Sequence, residues 1–376
     1  MKRFTLSQMF MGVAVLALLF ALVPAEGCGE PYTRIQALSF SPDGKRLAVV
    51  KLNWRNANVP LKGYAANIAR NICLVDVESA TPTEIVERNF LPGNQGPAFA
   101  VLRQCPDSLA FSADGNSLFF LDANASEIRV CDLNAKEVTT FGPVTQAAHL
   151  HFSLSQDRSL VAQSSWGSGV SLLAADNAKQ IENAPNIAIF SPFRSGIALS
   201  ADNHWVAIRD QDKVKLYDAT ANLRAGPSYD CSGTGGFAFS PVAAQLAVAS
   251  DNNILFCDPT TNAMRTFPCE MEIRNVQFVG ADNLVIATEH GVTLVRVATG
   301  EVAARLKHDS WVTALATSPD ARTVAIGDNR GHVLLWDAKT GRSSSFRAPG
   351  RSGYPWTLPA GILVVFAAFY FYTRKR

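Results

Sequence analysis

The sequence predicts an all-β protein, a seven-bladed β-propeller with four-stranded antiparallel blades, flanked by an N-terminal signal segment and a C-terminal transmembrane helix. Three observations predict this fold. One short phrase occurs seven times, the copies follow each other at about 40 residues, and strand-length apolar runs alternate with clusters of turn residues. Because all-β propellers exceed the usual length of a domain, residues 30–350 are predicted to form a single propeller.

The repeated phrase is clearest near the two ends of that range. Residues 40–44 read Phe-Ser-Pro-Asp-Gly and residues 317–321 read Thr-Ser-Pro-Asp-Ala, and each is followed by a short apolar strand. The seven copies begin at positions 40, 111, 152, 199, 239, 278 and 317. A unit of this length holds the four strands of one propeller blade, which we letter a to d in chain order. Between strands b and c, Asp, Asn and Gly in residues 210–212, 251–253 and 328–331 indicate tight hairpin turns rather than calcium sites.

The last copy resembles a repeat of the WD40 family. His308 precedes strand a, residues 318–320 follow it, Asp328 lies in the turn between strands b and c, and Trp336-Asp337 ends strand c. The resemblance covers roughly residues 35–348 and is that of a degenerate, bacterial-type WD40 protein, since only one blade keeps the literal Trp-Asp.

The N-terminal segment is predicted to direct export. Met1-Lys2-Arg3 precedes an apolar run over residues 9–23, which is short for a membrane span but suits a signal peptide. Small residues before the expected cleavage site place the signal peptide at residues 1–25, with cleavage after Ala25. An uncleaved anchor and lipidation of Cys28 are the alternatives.

The C-terminal segment is predicted to span a membrane. Residues 356–373 form an apolar, aromatic run without a charge before the final arginine-rich tail, residues 374–376. The alternative is a helix buried in a soluble core. Basic residues favour the cytoplasmic side, so the tail is predicted to be cytoplasmic and the propeller to lie on the extracytoplasmic side, periplasmic or extracellular.

Composition and motifs argue against several functions. With 34 basic and 32 acidic residues the formal charge is +2, which indicates no nucleic-acid partner. No nucleophile elbow, phosphate-binding loop or dinucleotide fingerprint occurs, so we expect no catalytic residues, no cofactor and no metal. His149 and His151 share a strand face, and we interpret them as polar residues of the central channel rather than as metal ligands.

Two cysteine pairs share one spacing. Cys105 and Cys131, and likewise Cys231 and Cys257, are 26 residues apart, and an exported chain favours disulfides. The resemblance to WD40 repeats implies that the two positions of each pair correspond to the neighbouring His and Trp positions of a blade. The sequence therefore predicts disulfides Cys105–Cys131 and Cys231–Cys257, with buried free thiols as the alternative.

Long loops on one rim supply candidate residues for partner binding. The first interval is long because of an insertion between strands b and c of blade 1, residues 52–71, and a long connection to blade 2, residues 90–107. Aromatic and arginine side chains in such loops are typical of interfaces. The candidates are Trp54, Arg55, Lys62, Tyr64, Arg70, Phe90, Arg103, Trp166, Phe190, Phe193 and Arg194.

The functional hypothesis is a membrane-tethered scaffold that binds a protein or peptide outside the cytoplasm. Alternatively, the candidate side chains fold back to shield the propeller. Two other functions stay open: an exported propeller enzyme of the lactonase or quinoprotein type, and a sensor of a small ligand.

Overall fold

The structure is a computed structural model that describes residues 32–56, 66–91, 109–122, 127–142, 150–165, 169–184, 187, 195–233, 235–289 and 291–348. These residues form 28 β-strands in seven sheets, and each sheet consists of four consecutive antiparallel strands. The prediction of a seven-bladed propeller with four-stranded blades is confirmed. The predicted signal peptide, transmembrane helix and basic tail lie outside the described residues.

The strands follow one another without crossovers. Blades 1 to 3 contain β1 (Tyr32–Phe40), β2 (Arg46–Asn56), β3 (Ala66–Asp76), β4 (Thr81–Leu91); β5 (Leu109–Phe111), β6 (Ser117–Leu121), β7 (Ile128–Asp132), β8 (Glu137–Phe141); β9 (His151–Leu154), β10 (Leu160–Ser165), β11 (Gly169–Ala174) and β12 (Gln180–Ala184). Blades 4 and 5 contain β13 (Ser195–Leu199), β14 (Trp205–Asp210), β15 (Lys213–Asp218), β16 (Arg224–Asp230); β17 (Phe237–Phe239), β18 (Leu246–Ser250), β19 (Asn253–Asp258) and β20 (Ala263–Pro268). Blades 6 and 7 contain β21 (Asn275–Val279), β22 (Asn283–Thr288), β23 (Gly291–Arg296), β24 (Val302–Lys307); β25 (Val312–Thr317), β26 (Thr323–Asp328), β27 (His332–Asp337) and β28 (Ser343–Arg347).

The core lies between the blades. Within the described residues, seven apolar clusters fill the seven junctions between neighbouring blades. Strands b and c carry long apolar runs, as in β26, where all residues after the first are buried, because both faces of the sheet meet another blade. Strand d is polar and exposed, as in β8 and β28, because it forms the outer edge. Burial between blades, at roughly 25 cal/mol per Å² of apolar surface, therefore stabilises the ring as a whole.

The repeated phrase forms the turn between strands a and b. In blade 1 the hydroxyl of Ser41 donates to Oδ1 of Asp43 at 2.5 Å, and the backbone N–H groups of Lys45 and Arg46 donate to Asp43 and Ser41. The fifth residue, Gly44, has φ +70°, which suits glycine. The same Ser–Asp hydrogen bond occurs in blades 2, 3, 4 and 7. The phrase is thus a local turn motif that satisfies its own polar groups.

The ring closes by packing between blades 1 and 7. Within the described residues, β1–β4 form one sheet and β25–β28 another, so the two blades exchange no strand. Thr33 Oγ1 donates to the carbonyl of Arg330 at 2.6 Å, and Lys51 Nζ donates to the carbonyl of Ala348 at 2.7 Å. Gly327 leaves no room for a side chain, since a Cβ there would lie 2.4 Å from Ile35 Cγ2. Close backbone approach and side-chain hydrogen bonds therefore hold this junction.

The described part of the insertion in blade 1 forms strand rather than loop. β2 and β3 stay paired from Arg46 with Asp76 to Asn56 with Ala66, and β4 continues to Leu91. Residues 52–56, 66–71, 90 and 91 were expected in loops and instead extend the blade. The long interval between the first two copies of the repeat indicated loops, but each added cross-strand pair satisfies backbone groups that a loop would leave to water.

Among the described residues, no helix has the length and apolar character that crossing a membrane requires.

Candidate functional site

The propeller has two rims that differ in their connections. We call the edge that carries the turns between strands b and c and the connections from one blade to the next the b–c rim. We call the opposite edge, which carries the a–b and c–d turns, the a–b rim. β1 begins at Tyr32 opposite Trp54, and β28 ends at Arg347 opposite His332. Both ends of the propeller therefore lie at the b–c rim, side by side at the junction of blades 1 and 7.

Arg70 corrects one of the predicted partner-binding positions. Its side chain is only 3 % exposed, its Nη1 donates to the carbonyl of Leu121, and its guanidinium lies 5.8 Å from the ring centroid of Phe120. Because Arg70 belongs to blade 1 and Leu121 to blade 2, it joins two blades instead of meeting a partner. For this residue the alternative, that the side chain shields the propeller, is what the structure shows.

For three other predicted rim residues the structure describes only the backbone. The structure describes the backbone of Trp54 in β2 and of Phe90 in β4, with Arg55 next to Trp54. All three lie on the extended strands of blade 1. The remaining candidates lie outside the described residues: Lys62, Tyr64, Arg103, Trp166, Phe190, Phe193 and Arg194.

Trp311 is a rim residue that the sequence analysis missed. It lies in the connection entering β25, its side chain is 58 % exposed, and its carbonyl accepts from the N–H of Asn329 in the neighbouring b–c turn. Met271, in the corresponding connection of blade 6, is 38 % exposed. Exposed Trp and Met side chains are enriched at protein interfaces. The sequence could have revealed this residue, because a tryptophan stands three residues after His308 in the connection between two blades.

A buried carboxylate lies beneath this part of the rim. Asp328 is 1 % exposed, and its Oδ2 lies 3.3 Å from Nε2 of His308 and 3.2 Å from Nδ1 of His332. Its Oδ1 accepts from the backbone N–H groups of Arg330 and His332. Burial alone would raise the pKa of Asp328, but His308 and these N–H groups outweigh it and lower the pKa to about 2. The carboxylate therefore fixes the turn and lies beside the two histidines.

The second predicted cysteine pair lies in one apolar cluster. Cys231 and Cys257 are both buried between blades 4 and 5. Burial and then the nearby Cys231 raise the pKa of Cys257 to about 12. The disulfide between them stays a prediction. Cys131 is likewise buried, and its predicted partner Cys105 lies outside the described residues.

The central channel opens into a cavity at the a–b rim. Its volume is about 450 Å³, and all seven blades contribute to its walls through the ends of their a strands and their a–b turns. Its lining combines serine, threonine and glutamine residues with alanine, leucine and phenylalanine, and Arg158 is the charged residue among the described residues that line it. His151 in β9 is buried, whereas His149 lies outside the described residues. The described residues contain no group of His, Cys, Asp or Glu arranged to hold a metal ion.

No known protein family matches this sequence, and a search of curated proteins finds no relative either.

Proposed function

We propose that the chain is a non-catalytic, membrane-tethered propeller of the WD40 type that binds a protein or peptide partner outside the cytoplasm. The seven blades and the contacts of His308 with Asp328 in the last blade support the WD40 assignment. The predicted signal peptide and transmembrane helix support the tether. The single observation that carries the proposal is the position of the two ends of the propeller on the b–c rim.

That position orients the propeller in the proposed arrangement. Seven residues, 349–355, separate Ala348 from the predicted span, and a fully extended chain covers at most about 3.6 Å per residue, or roughly 25 Å. The b–c rim would then lie close to the bilayer. The a–b rim would lie farther away by the length of a strand, about 20 Å for six residues.

The partner proposed for the b–c rim is therefore itself close to the membrane, such as the extracytoplasmic segment of another membrane protein. Trp311 and the extended hairpin of blade 1 lie on this rim and offer contact surface. Arg70, which holds blades 1 and 2 together, supports the base of that hairpin.

The test combines topology with cross-linking. Protease added to intact spheroplasts should digest residues 26–350 and leave a small C-terminal fragment, and deletion of residues 357–376 should release the propeller from membranes. A photo-cross-linking residue in place of Trp311 should capture a membrane protein, whereas one in place of Lys339, exposed on the a–b rim, should not. A protected propeller would contradict the topology, and equal cross-linking at both positions would contradict the proposed binding rim.

A sensor of a small ligand is the second candidate, because the central cavity gives it a specific location. The alternative of an exported enzyme gains no support from the described residues. Asp328, the carboxylate that lies beside two histidines, accepts hydrogen bonds from the backbone of its own turn.

A further inference from the structure

The mouth of the central channel is lined by residues at one repeated position of strand a. In six blades this position lies two residues before the serine of the a–b turn, and in blade 6 it lies two residues before Val279. The seven residues are Ser39, Ala110, Ser153, Ala198, Ala238, Gln277 and Ala316. Because alanine and serine are small, they leave the mouth open as the cavity of about 450 Å³. A volume of this size falls within the range of small-ligand sites.

Gln277 is the exception in this ring. It is the one long side chain among the seven, although four other blades have alanine at the same position. The side chain is half-buried and lines the cavity, and its amide forms no hydrogen bond with any residue that the structure describes. A glutamine amide has two N–H donors and an acceptor oxygen. These groups are therefore available to a molecule in the cavity.

Hydroxyl groups continue this polar side of the mouth into the next two blades. Thr317 of blade 7 and Ser39 of blade 1 line the cavity, and neither hydroxyl has a hydrogen-bond partner among the described residues. Blades 6, 7 and 1 are neighbours in the ring, because apolar clusters join blade 6 to blade 7 and blade 7 to blade 1. Blades 2, 4 and 5 instead present the methyl groups of Ala110, Ala198 and Ala238. The mouth thus offers hydrogen bonds on one side and small apolar contacts on the other.

The lining favours a ligand without a charge. The guanidinium of Arg158 donates to the carbonyl of Phe111 and lies 3.5 Å from the carbonyl of Phe40, so blades 1 and 2 already engage the one charged side chain among the described lining residues. The aspartates of the a–b turns, such as Asp43 and Asp157, accept hydrogen bonds from their own turns and do not line the cavity. A charged ligand would therefore lose hydration without gaining a free opposite charge. A neutral ligand with several hydroxyl groups matches the lining.

We propose that the mouth of the central channel binds a neutral sugar, with Gln277, Thr317 and Ser39 as its hydrogen-bonding residues. A pyranose ring carries hydroxyl groups along its edge and C–H groups on its faces, which suits a mouth with one polar side and one side of methyl groups. The proposal rests on the second candidate function, a sensor of a small ligand, and names the class of that ligand. The site lies on the rim opposite to the proposed partner surface, so its failure would leave the tether and the b–c rim untouched.

The test compares neutral sugars with charged analogues on the purified full-length chain, in a detergent without a sugar headgroup. The neutral probes are glucose, N-acetylglucosamine and maltose, and the charged probes are glucuronate and glucosamine. Titrations followed by saturation-transfer difference NMR measure the dissociation constants. At least one neutral sugar should bind about tenfold more tightly than both charged probes, because the lining offers a charge no free partner. Binding of none of the neutral sugars, or equal binding of neutral and charged probes, would overturn the proposal.

Variants of the ring locate the site. Gln277→Ala should weaken binding of the neutral sugar about fivefold, since it removes hydrogen bonds to the ligand but places an alanine where four other blades already have one. Ala198→Gln should weaken binding as well, because it fills the methyl-lined side of the mouth. Gln180→Ala, an exposed change in β12 outside the cavity, is the matched control and should have no effect. Unchanged binding in folded Gln277→Ala and Ala198→Gln variants would contradict the proposed site. The comparison of sugars on the unmodified chain decides the proposal even where a variant fails to fold.

Discussion

At the scale of single residues, Asp328 shows how one buried charge can fix a turn. Its carboxylate receives two backbone N–H groups and lies beside two imidazoles, so its ionised form is stabilised in the folded state. The pKa of about 2 in the folded protein lies below the unfolded value near 3.8. A group with a depressed pKa stabilises the fold above its unfolded pKa and loses this contribution as the pH falls toward the folded value.

Asp328→Asn should therefore destabilise the propeller in a pH-dependent way. We expect the free energy of unfolding to fall by about 2 kcal/mol at pH 5. At pH 3 the loss should be about 1 kcal/mol smaller, because protonation of Asp328 in the wild-type protein removes the stabilising charge. Urea unfolding of both proteins at the two pH values measures the difference. Asp309→Asn, an exposed change on the same rim, is the control and should have little effect at either pH. A loss that is the same at pH 5 and pH 3 would show that the charge of Asp328 does not contribute.

Residue type and spacing predict the position of some of these side chains correctly but do not predict the burial of others. The repeat predicts the places of His308 before strand a, Asp328 at the turn between strands b and c, and Trp336 near the end of strand c. These places can be predicted because the strands and turns of one blade have nearly constant lengths. Arg70 was assigned to a binding surface because an arginine in an apparent loop resembles an interface residue. Its burial depends on Phe120 and Leu121, about 50 residues later in the chain, and no local pattern reveals that contact.

At the scale of elements, the repeated turn and strand pattern predicted the blades well. The Ser–Asp turn forms within five residues, so its sequence signature survives in five blades. The long strands of blade 1 could not be predicted in the same way. Their pairing register is set across the hairpin, between residues that stand up to 30 positions apart in the chain, such as Arg46 and Asp76.

The cysteines of blade 5 give a prediction at this scale. Cys231 lies in the connection between blades 4 and 5, directly after β16, and Cys257 lies in strand c of blade 5, and both belong to one apolar cluster. In an oxidising compartment we expect them to form a disulfide that closes a loop of about 25 residues, with a stabilisation of about 3 kcal/mol. Peptide mapping of the exported protein without reductant should recover residues 231 and 257 in one linked fragment, and residues 105 and 131 in another.

Cys73 serves as the internal control for that mapping. It is fully buried in the cluster between blades 1 and 7, and it should be recovered as a free thiol after unfolding. Full alkylation of Cys231 and Cys257 in the unfolded, unreduced protein would show that the pair stays reduced.

At the scale of the whole molecule, stability depends on the closure of the ring. The junction of blades 1 and 7 holds without a shared strand, so the fit between Gly327 and Ile35 is one of its main constraints. Gly327→Ala should destabilise the propeller by about 2 kcal/mol or more, because the new methyl group overlaps Ile35. Thermal unfolding measures the loss.

A double-mutant cycle separates this overlap from a general effect of alanine. Ile35→Ala alone should also destabilise, since it removes a buried side chain, but it should make Gly327→Ala less costly when both changes are present. Additive losses would mean that the two residues do not constrain each other and that the junction closes by other contacts.

The placement of both propeller ends on one rim leads to the central claim, that the propeller stands on a membrane with its b–c rim toward the bilayer. Asp309 on the b–c rim and Lys339 on the a–b rim are both exposed residues of blade 7, about one strand length apart. The measurement uses a fluorescent dye on Asp309→Cys or Lys339→Cys, in a chain whose Cys28, Cys105 and Cys269 are serine, reconstituted into vesicles with a quencher in the lipid headgroups. The account predicts strong quenching of the dye at position 309 and weak quenching at position 339. Equal quenching at both positions, or stronger quenching at 339, would contradict it.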